Sequence, residues 1–185
     1  MSRLLERVLI VVVSLAVSIG IIALLSGGLL AGRDNPGVSA GQIGPGTAFR
    51  DQGNEHLRAG ELHPVYDSDP PTSGPHVPVA VTRDGAALSD DQLLQALDVG
   101  DVVMMYGTAR PPAGLATLAD AVGSRFTPAL AASGGAVILA HRPGIDSVTA
   151  LAWGHMLRVA SGEDPALRAF AQFWLGRGAR RAAGE

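Results

Sequence analysis

Residues 89–106 read SDDQLLQALDVGDVVMMY, and this stretch predicts a helix that is followed directly by a strand. Ser89 is a good helix cap, and Gln92, three residues later, can reach back to it as in a capping box. The leucines that follow lie on one helical face, and Gly100 is well placed to end the helix. The run at 102–106 is apolar throughout, which is typical of a buried strand.

The rest of the chain predicts further helices and strands around this pair. Apolar residues within 115–126 are spaced as one helical face, and Asp164 and Pro165 begin a last helix. Short strands are predicted at 136–140 and 148–153. The resulting order is helix, strand, helix, strand, strand, helix. We therefore expect an α+β domain, in which a small sheet has helices packed on one side.

The composition excludes several classes of function. The chain of 185 residues contains no cysteine, so disulfides, thiolate metal sites and cysteine nucleophiles are excluded. Its formal net charge of −3 gives no electrostatic support for binding nucleic acid. The sequence also has no phosphate-binding loop and no dinucleotide-binding fingerprint.

Residues 8–31 are uncharged and mostly aliphatic, which predicts a single-pass transmembrane helix in contact with the lipid bilayer. The apolar core of a signal peptide is usually shorter, although small residues at Ser26 and Gly28 keep cleavage as an alternative. Arg3 and Arg7 precede the span, so the positive-inside tendency places the N-terminus in the cytoplasm. We expect a protein of the bacterial cell membrane whose C-terminal domain lies outside.

The predicted domain organisation follows from this span. The segment 32–53 is rich in glycine, contains two prolines and shows no periodicity, so we expect a flexible linker without a packed core. The predicted units are a cytoplasmic tip and transmembrane helix at 1–31, the linker at 32–53, an extracytoplasmic α+β domain at 54–178 and a tail at 179–185.

Residues 66–76 read YDSDPPTSGPH, and they predict a rigid loop. Three prolines and a glycine make a helix or a central strand unfavourable, while Asp and Ser side chains can hydrogen-bond the local backbone. Ordered loops often carry function because they hold side chains in place. The side chains predicted to form a ligand- or partner-binding site are those of Tyr66, Asp69, Ser73 and His76.

The run PPTSGPH at 70–76 resembles the signature of a bacterial family of unknown function, number 3105. The resemblance covers about residues 54–178 and implies a similar layout, often with one N-terminal membrane span, but no established activity. The family pattern His-x-Leu-Glu-His-Gly corresponds here to QALDVG at 95–100. Two histidines at i and i+4 lie on one helical face, as metal ligands do. The resemblance therefore implies a divergent member that lacks both of these histidines.

Three hypotheses about function follow, and the favoured one is non-enzymatic. It is a membrane-anchored module whose 66–76 loop binds a ligand or an envelope protein. The alternative is an envelope protein that binds zinc or copper through His56, His76 and Asp98, with His63 as a further candidate, or less favoured a metal-dependent enzyme. No other cofactor is predicted.

The third hypothesis is a metal-independent hydrolase. Ser73 would be the nucleophile and His76 its base, with Asp67 or Asp69 orienting the imidazole. Such groups usually come from distant segments rather than from one loop, and the chain has no Gly-x-Ser-x-Gly elbow.

Overall fold

The computed structural model of this protein describes residues 44–179, and the predicted α+β class is confirmed. The elements, in chain order, are β1 (Thr47–Ala48), α1 (Asp90–Val99), β2 (Val102–Tyr106), α2 (Leu115–Gly123), α3 (Pro128–Ala132), β3 (Val137–His141), β4 (Val148–Ala152), β5 (His155–Val159) and α4 (Pro165–Trp174). No helix within this part of the chain has the length and apolar character to cross a membrane. The transmembrane prediction for residues 8–31 lies outside the described residues.

The five strands form one sheet in the order β1-β5-β4-β2-β3. Strands β2 and β3 are parallel, with Val102 opposite Val137, and the other neighbours are antiparallel. Parallel neighbours cannot be joined by a hairpin, and here α2 and α3 supply the connection between them. The sheet is therefore mixed, with β2 hydrogen-bonded on both of its edges.

The predicted capping box on α1 is present. The Ser89 hydroxyl oxygen accepts a hydrogen bond from the Gln92 backbone N–H at 3.2 Å, and the Gln92 side-chain oxygen accepts one from the Ser89 backbone N–H at 3.2 Å. Gly100 ends the helix with φ of 113°, a conformation that glycine adopts without a steric penalty. Both ends of α1 are thus fixed by local sequence.

Helices cover both faces of the sheet, so the expectation that they pack on one side is wrong. Side chains alternate along β2, and Met104 faces the core under α2 and α4, whereas Met105 faces the core under α1 and α3. Both methionines are almost completely buried. A strand that is apolar at every position requires a cover on each face, and this requirement explains the second layer.

The N-terminal border of the domain also differs from the sequence expectation. Within the predicted 32–53 linker, Thr47–Ala48 form β1 and pair with β5. The indole N–H of Trp174 donates a hydrogen bond to the Pro45 carbonyl at 2.8 Å. These contacts order the described part of the segment against α4 and the sheet. The short α3 and the strand β5 were likewise not predicted.

Two glycines allow the packing between α1 and the segment after α3 to be tested. Both have positive φ, +74° at Gly134 and +88° at Gly144. A Cβ added at Gly134 would lie 1.9 Å from the Val99 carbonyl oxygen, whereas a Cβ at Gly144 meets nothing within 4 Å. We predict that Gly144→Ala lowers the free energy of unfolding by about 1–2 kcal/mol, through backbone strain alone.

The loss for Gly134→Ala should exceed that for Gly144→Ala by at least about 2 kcal/mol, because the backbone of α1 must also move. Denaturant unfolding of the two variants measures the difference. Equal losses would show that the contact between Gly134 and the end of α1 is not a close one.

Candidate metal centre

Two histidines far apart in the loops lie side by side because their backbones pair. His56 and His76 form an isolated parallel β-bridge, in which the His76 N–H donates to the Glu55 carbonyl at 3.0 Å and the Leu57 N–H donates to the His76 carbonyl at 2.8 Å. Their ring centroids are 5.3 Å apart, with 69° between the ring planes. His76 is fully buried, whereas the His56 side chain is 41% exposed.

One ring nitrogen of His76 is hydrogen-bonded and the other has no partner. Nδ1 lies 3.0 Å from the Gly74 carbonyl oxygen, so it carries a proton and donates to that oxygen. Nε2 is buried and has no hydrogen-bond partner. A backbone carbonyl on one ring nitrogen is the arrangement that orients metal-binding histidines, because it leaves the second nitrogen's lone pair free.

Asp98 completes the group from the last turn of α1, and its carboxylate is almost completely buried. The Asn54 side-chain amide donates to Asp98 Oδ1 at 3.0 Å, while Oδ2 has no hydrogen-bond partner and lies 3.6 Å from His56 Nε2. One ligand atom each from His56, His76 and Asp98 lies within 4.8 Å of the other two. We call these three residues the His/Asp cluster.

The buried polar atoms without a partner are concentrated in this region. Within the described residues, the side-chain atoms of this kind are His76 Nε2, Gln95 Oε1, Asp98 Oδ2, Asp101 Oδ2 and Trp153 Nε1. The Trp153 ring centroid lies 6.4 Å from that of His76, and Gln95 and Asp101 line a cavity together with His56. Buried polar groups are nearly always satisfied, so such a concentration indicates a place that receives an ion, water or ligand.

Hydrogen bonds hold the 66–76 loop against the domain, and most of its predicted site residues face inward. The Ser73 hydroxyl donates to the Arg50 carbonyl and accepts from the Gln52 N–H, each at 3.1 Å, and the side chain is fully buried. The Tyr66 hydroxyl donates to the Pro75 carbonyl at 2.8 Å, and burial, helped by the negative charges of Asp91 and Asp90, raises the pKa of Tyr66 to about 12.

Asp69 and His63 are two predicted residues that lie at the surface. Asp69 is exposed and pairs with the Arg142 guanidinium, and its backbone carbonyl accepts a hydrogen bond from Arg158. His63 lies 2.8 Å from an Asp91 carboxylate oxygen and does not belong to the His/Asp cluster.

The arrangement needed for a Ser73 hydrolase is not formed. Ser73 makes both of its hydrogen bonds to backbone groups, and His76 makes none to Ser73. A nucleophile requires a base within hydrogen-bonding reach, so this hypothesis loses its geometric basis. Asp67 and Asp69 make no hydrogen bond to the imidazole either.

Three residues around the cluster were not predicted as site residues. Asn54 donates a hydrogen bond to Asp98, while Gln95 and Asp101 line the nearby cavity and each has a buried oxygen without a partner. The sequence gave weak signals for two of them. Asn54 stands two positions before His56, and Gln95 lies on the same helical face as Asp98, at i and i+3. Asp101 had no such signal, because it looked like a residue that merely separates a helix from a strand.

Residues 62–184, more than half of the chain, match the family described as "Protein of unknown function (DUF3105)". The chain belongs to this family. The DUF3105 match includes His76 and Asp98 and begins after His56. No curated protein and no solved structure matches the chain.

The electrostatic environment beside the cluster is unusual at Asp101. Burial raises the pKa of this carboxyl to about 7, although the Ala136 N–H donates to its Oδ1 at 2.8 Å and acts in the opposite direction. An ordinary aspartate has a pKa of 3.8. Between pH 3.8 and about pH 7 the folded protein keeps a proton on Asp101 that the unfolded chain releases. The contribution of Asp101 to the free energy of unfolding therefore falls as the pH rises through this range, and it is lowest above about pH 7.

We predict that Asp101→Asn removes this pH dependence. When the pH is raised from about 4 to about 8, the variant should become more stable relative to wild type by about 2–4 kcal/mol of unfolding free energy. This value follows from about 1.36 kcal/mol per pKa unit. Denaturant unfolding at both pH values measures it. Asp120→Asn makes the same change at an exposed position and should leave the difference near zero. A constant difference for Asp101→Asn would contradict the raised pKa.

Proposed function

We propose that this protein is a membrane-tethered extracytoplasmic domain that binds one transition-metal ion, zinc or copper(II), through His56, His76 and Asp98. The observation that carries the proposal is that His76 Nε2 and Asp98 Oδ2 are buried without a hydrogen-bond partner, in two residues that each bring a ligand atom within 4.8 Å of the other. Burying an imidazole nitrogen and a carboxylate oxygen without partners is costly, and a cation bound to both would remove that cost.

The donor set suits these metals. Imidazole nitrogen and carboxylate oxygen are good ligands for zinc and copper(II). Two ligand atoms of a tetrahedral zinc ion are about 3.3 Å apart at ligand distances of about 2.0 Å, and the pair His56 Nε2 and Asp98 Oδ2 is already at 3.6 Å. Rotation of the partly exposed His56 side chain can close the remaining distance to His76.

The surroundings of the ligands also support a metal. The Gly74 carbonyl fixes the tautomer of His76, and the Asn54 amide orients the Asp98 carboxylate. Three protein ligands leave a fourth position of a tetrahedral ion for water or another ligand, and the 41% exposure of the His56 side chain shows that solvent reaches one of the three proposed ligands. A site with an open position can accept a further ligand, so it differs from a closed structural zinc site.

The proposed tether rests on the sequence. The uncharged segment 8–31 is long enough to span a bilayer, and Arg3 and Arg7 orient it with the N-terminus in the cytoplasm. The described domain would then lie outside the bacterial cell membrane, beyond the segment 32–43.

A second candidate function is supported by the surface that precedes the 66–76 loop. Leu62 is 94% exposed and Val65 is 92% exposed, which is unusual for two aliphatic side chains so close in sequence. An envelope protein partner would contact this segment and the exposed Asp69, because Ser73 and His76 are covered. This candidate is compatible with a bound metal.

The metal proposal predicts about one zinc or copper ion per chain by elemental analysis. Metal at about 100 times its Kd should raise the free energy of unfolding by about 2.7 kcal/mol. Asp98→Asn should reduce metal affinity by more than about 100-fold. The same variant should not destabilise the metal-free protein, because it removes a buried charge and keeps the side-chain volume.

His63→Ala is the matched control, because it removes a histidine that lies outside the His/Asp cluster. It should keep the metal at the wild-type stoichiometry, whereas His76→Ala should lose it. The proposal is contradicted if the wild-type protein contains no metal and its free energy of unfolding does not rise when zinc or copper is added.

The tether predicts that the full chain sediments with bacterial membranes and resists alkaline carbonate, and that protease added outside spheroplasts digests the domain. Deletion of residues 1–31 should move the protein to the soluble fraction, because the apolar span is removed. Release of the full chain by carbonate, or its protection from external protease, would contradict the proposed topology.

A further inference from the structure

The last turn of α1, which carries Asp98, is packed against the segment 176–179 that follows α4. The Gly176 N–H donates a hydrogen bond to the Gly100 carbonyl at 2.8 Å. Ala179 is 9% exposed and belongs to the same buried core as the leucines of α1. The segment is therefore held against the end of the helix at two points, once through its backbone and once through a core side chain.

Between these two points, Gly178 leaves no space for a side chain. A Cβ added at Gly178 would lie 2.1 Å from the Asp98 carbonyl oxygen and 2.7 Å from the Gly100 nitrogen. The φ of Gly178 lies outside the left-handed region, so its backbone conformation does not require glycine. The close approach to the Asp98 backbone is what requires a glycine at this position.

A second glycine reaches the same end of the helix from another segment. Gly134, which follows α3, would place a Cβ 1.9 Å from the Val99 carbonyl oxygen. Two segments that lie far apart in sequence thus contact the consecutive peptide groups of Asp98 and Val99. Because the packing is close, this part of α1 cannot shift without displacing one of the two segments.

The Asp98 carboxylate needs an accurate position in the His/Asp cluster. Its Oδ2 lies 3.6 Å from His56 Nε2, and its Oδ1 accepts the Asn54 amide at 3.0 Å. Metal–ligand distances tolerate deviations of only about 0.2 Å. A Cβ at Gly178 must separate the two backbones by about 1 Å, because real Cβ atoms essentially never approach other atoms within 3.0 Å. A displacement of that size is enough to spoil the geometry of a metal ligand.

We propose that Gly134 and Gly178 are positioning residues for the His/Asp cluster. Their lack of side chains lets two segments pack directly on the end of α1 and hold the Asp98 backbone where its carboxylate reaches the two histidines. The effect on metal affinity rests on the proposed function, whereas the effect on the geometry of the metal-free cluster does not.

Gly107 provides a matched control for Gly178. Its φ also lies outside the left-handed region, and a Cβ there would lie 2.0 Å from the Ile145 carbonyl oxygen. The overlap is thus as severe as at Gly178. Gly107 follows β2 whereas Asp98 precedes it, so the two positions lie at opposite ends of this strand. Gly107→Ala should therefore cost stability without moving Asp98.

The test uses the full chain in mild detergent, and zinc affinity is measured by competition with a chelator of known affinity. Gly178→Ala should weaken zinc binding by at least about tenfold, as changes in the groups that support metal ligands do. Gly107→Ala should bind zinc within about twofold of wild type, although both variants lose stability. Circular dichroism and denaturant unfolding confirm that each variant is folded under the assay conditions.

NMR of the imidazole nitrogens in the metal-free protein gives a readout that a general loss of stability does not change. The resonances of His56 and His76 respond to the charge and hydrogen bonding around their rings, and the Asp98 carboxylate supplies the nearby charge. These resonances should shift in Gly178→Ala and stay at their wild-type positions in Gly107→Ala.

Zinc affinities and imidazole resonances that are the same in Gly178→Ala and Gly107→Ala would overturn the proposal and leave the metal centre in place. If wild-type protein binds no zinc, the metal proposal fails, and the resonances alone decide the positioning role. If Gly178→Ala does not fold, Gly134→Ala replaces it with Gly144→Ala as its control, because both have positive φ and only Gly134 approaches α1. Equal affinities and resonances in that pair would likewise overturn the proposal.

Discussion

The burial of strand β2 on both faces is the constraint on which the domain depends. All five residues of Val102–Tyr106 are buried, and the strand is hydrogen-bonded to β3 on one edge and β4 on the other. Such a strand must be covered by helices on both faces, because an apolar surface left in water would be costly. Helix α1 is one of these covers, and Gly100 turns the chain directly from α1 into β2. The position of Asp98 is thus fixed by the core.

The loops reach this helix through backbone hydrogen bonds rather than through regular structure. The bridge between His56 and His76 aligns two segments, and the buried Ser73 hydroxyl ties the loop to the Arg50 and Gln52 backbone. A loop held by such hydrogen bonds can place an imidazole beside a buried carboxylate before any ligand binds, which lowers the entropy cost of binding. The loop residues that look most reactive in the sequence therefore have a structural role, because they hold the candidate metal ligands in position.

The proposed metal centre and the cavity beside His56 share one wall. His56 belongs to both, while α1 contributes Asp98 to the first and Gln95 to the second. These side chains stand three positions apart and lie on the same helical face. The unpartnered atoms lie on residues of α1, the adjoining Asp101, the 66–76 loop and Trp153 at the end of β4. A domain that leaves several buried polar groups unpaired in one region gives up stability there, which is a common property of binding sites.

The sequence by itself determined the local elements. The capping box at Ser89, the glycine at the end of α1, the strand at 102–106 and the proline-rich loop without regular structure all depend on neighbours within a few residues, so they could be predicted. It also singled out His56, His76 and Asp98 as candidate ligands, but gave no reason for them to meet. Tertiary structure alone decided that helices cover both faces, that residues 47–48 join the sheet, and that Asp101 is left with an unpaired oxygen. These outcomes depend on contacts between distant segments and on exclusion of water, which no local pattern encodes.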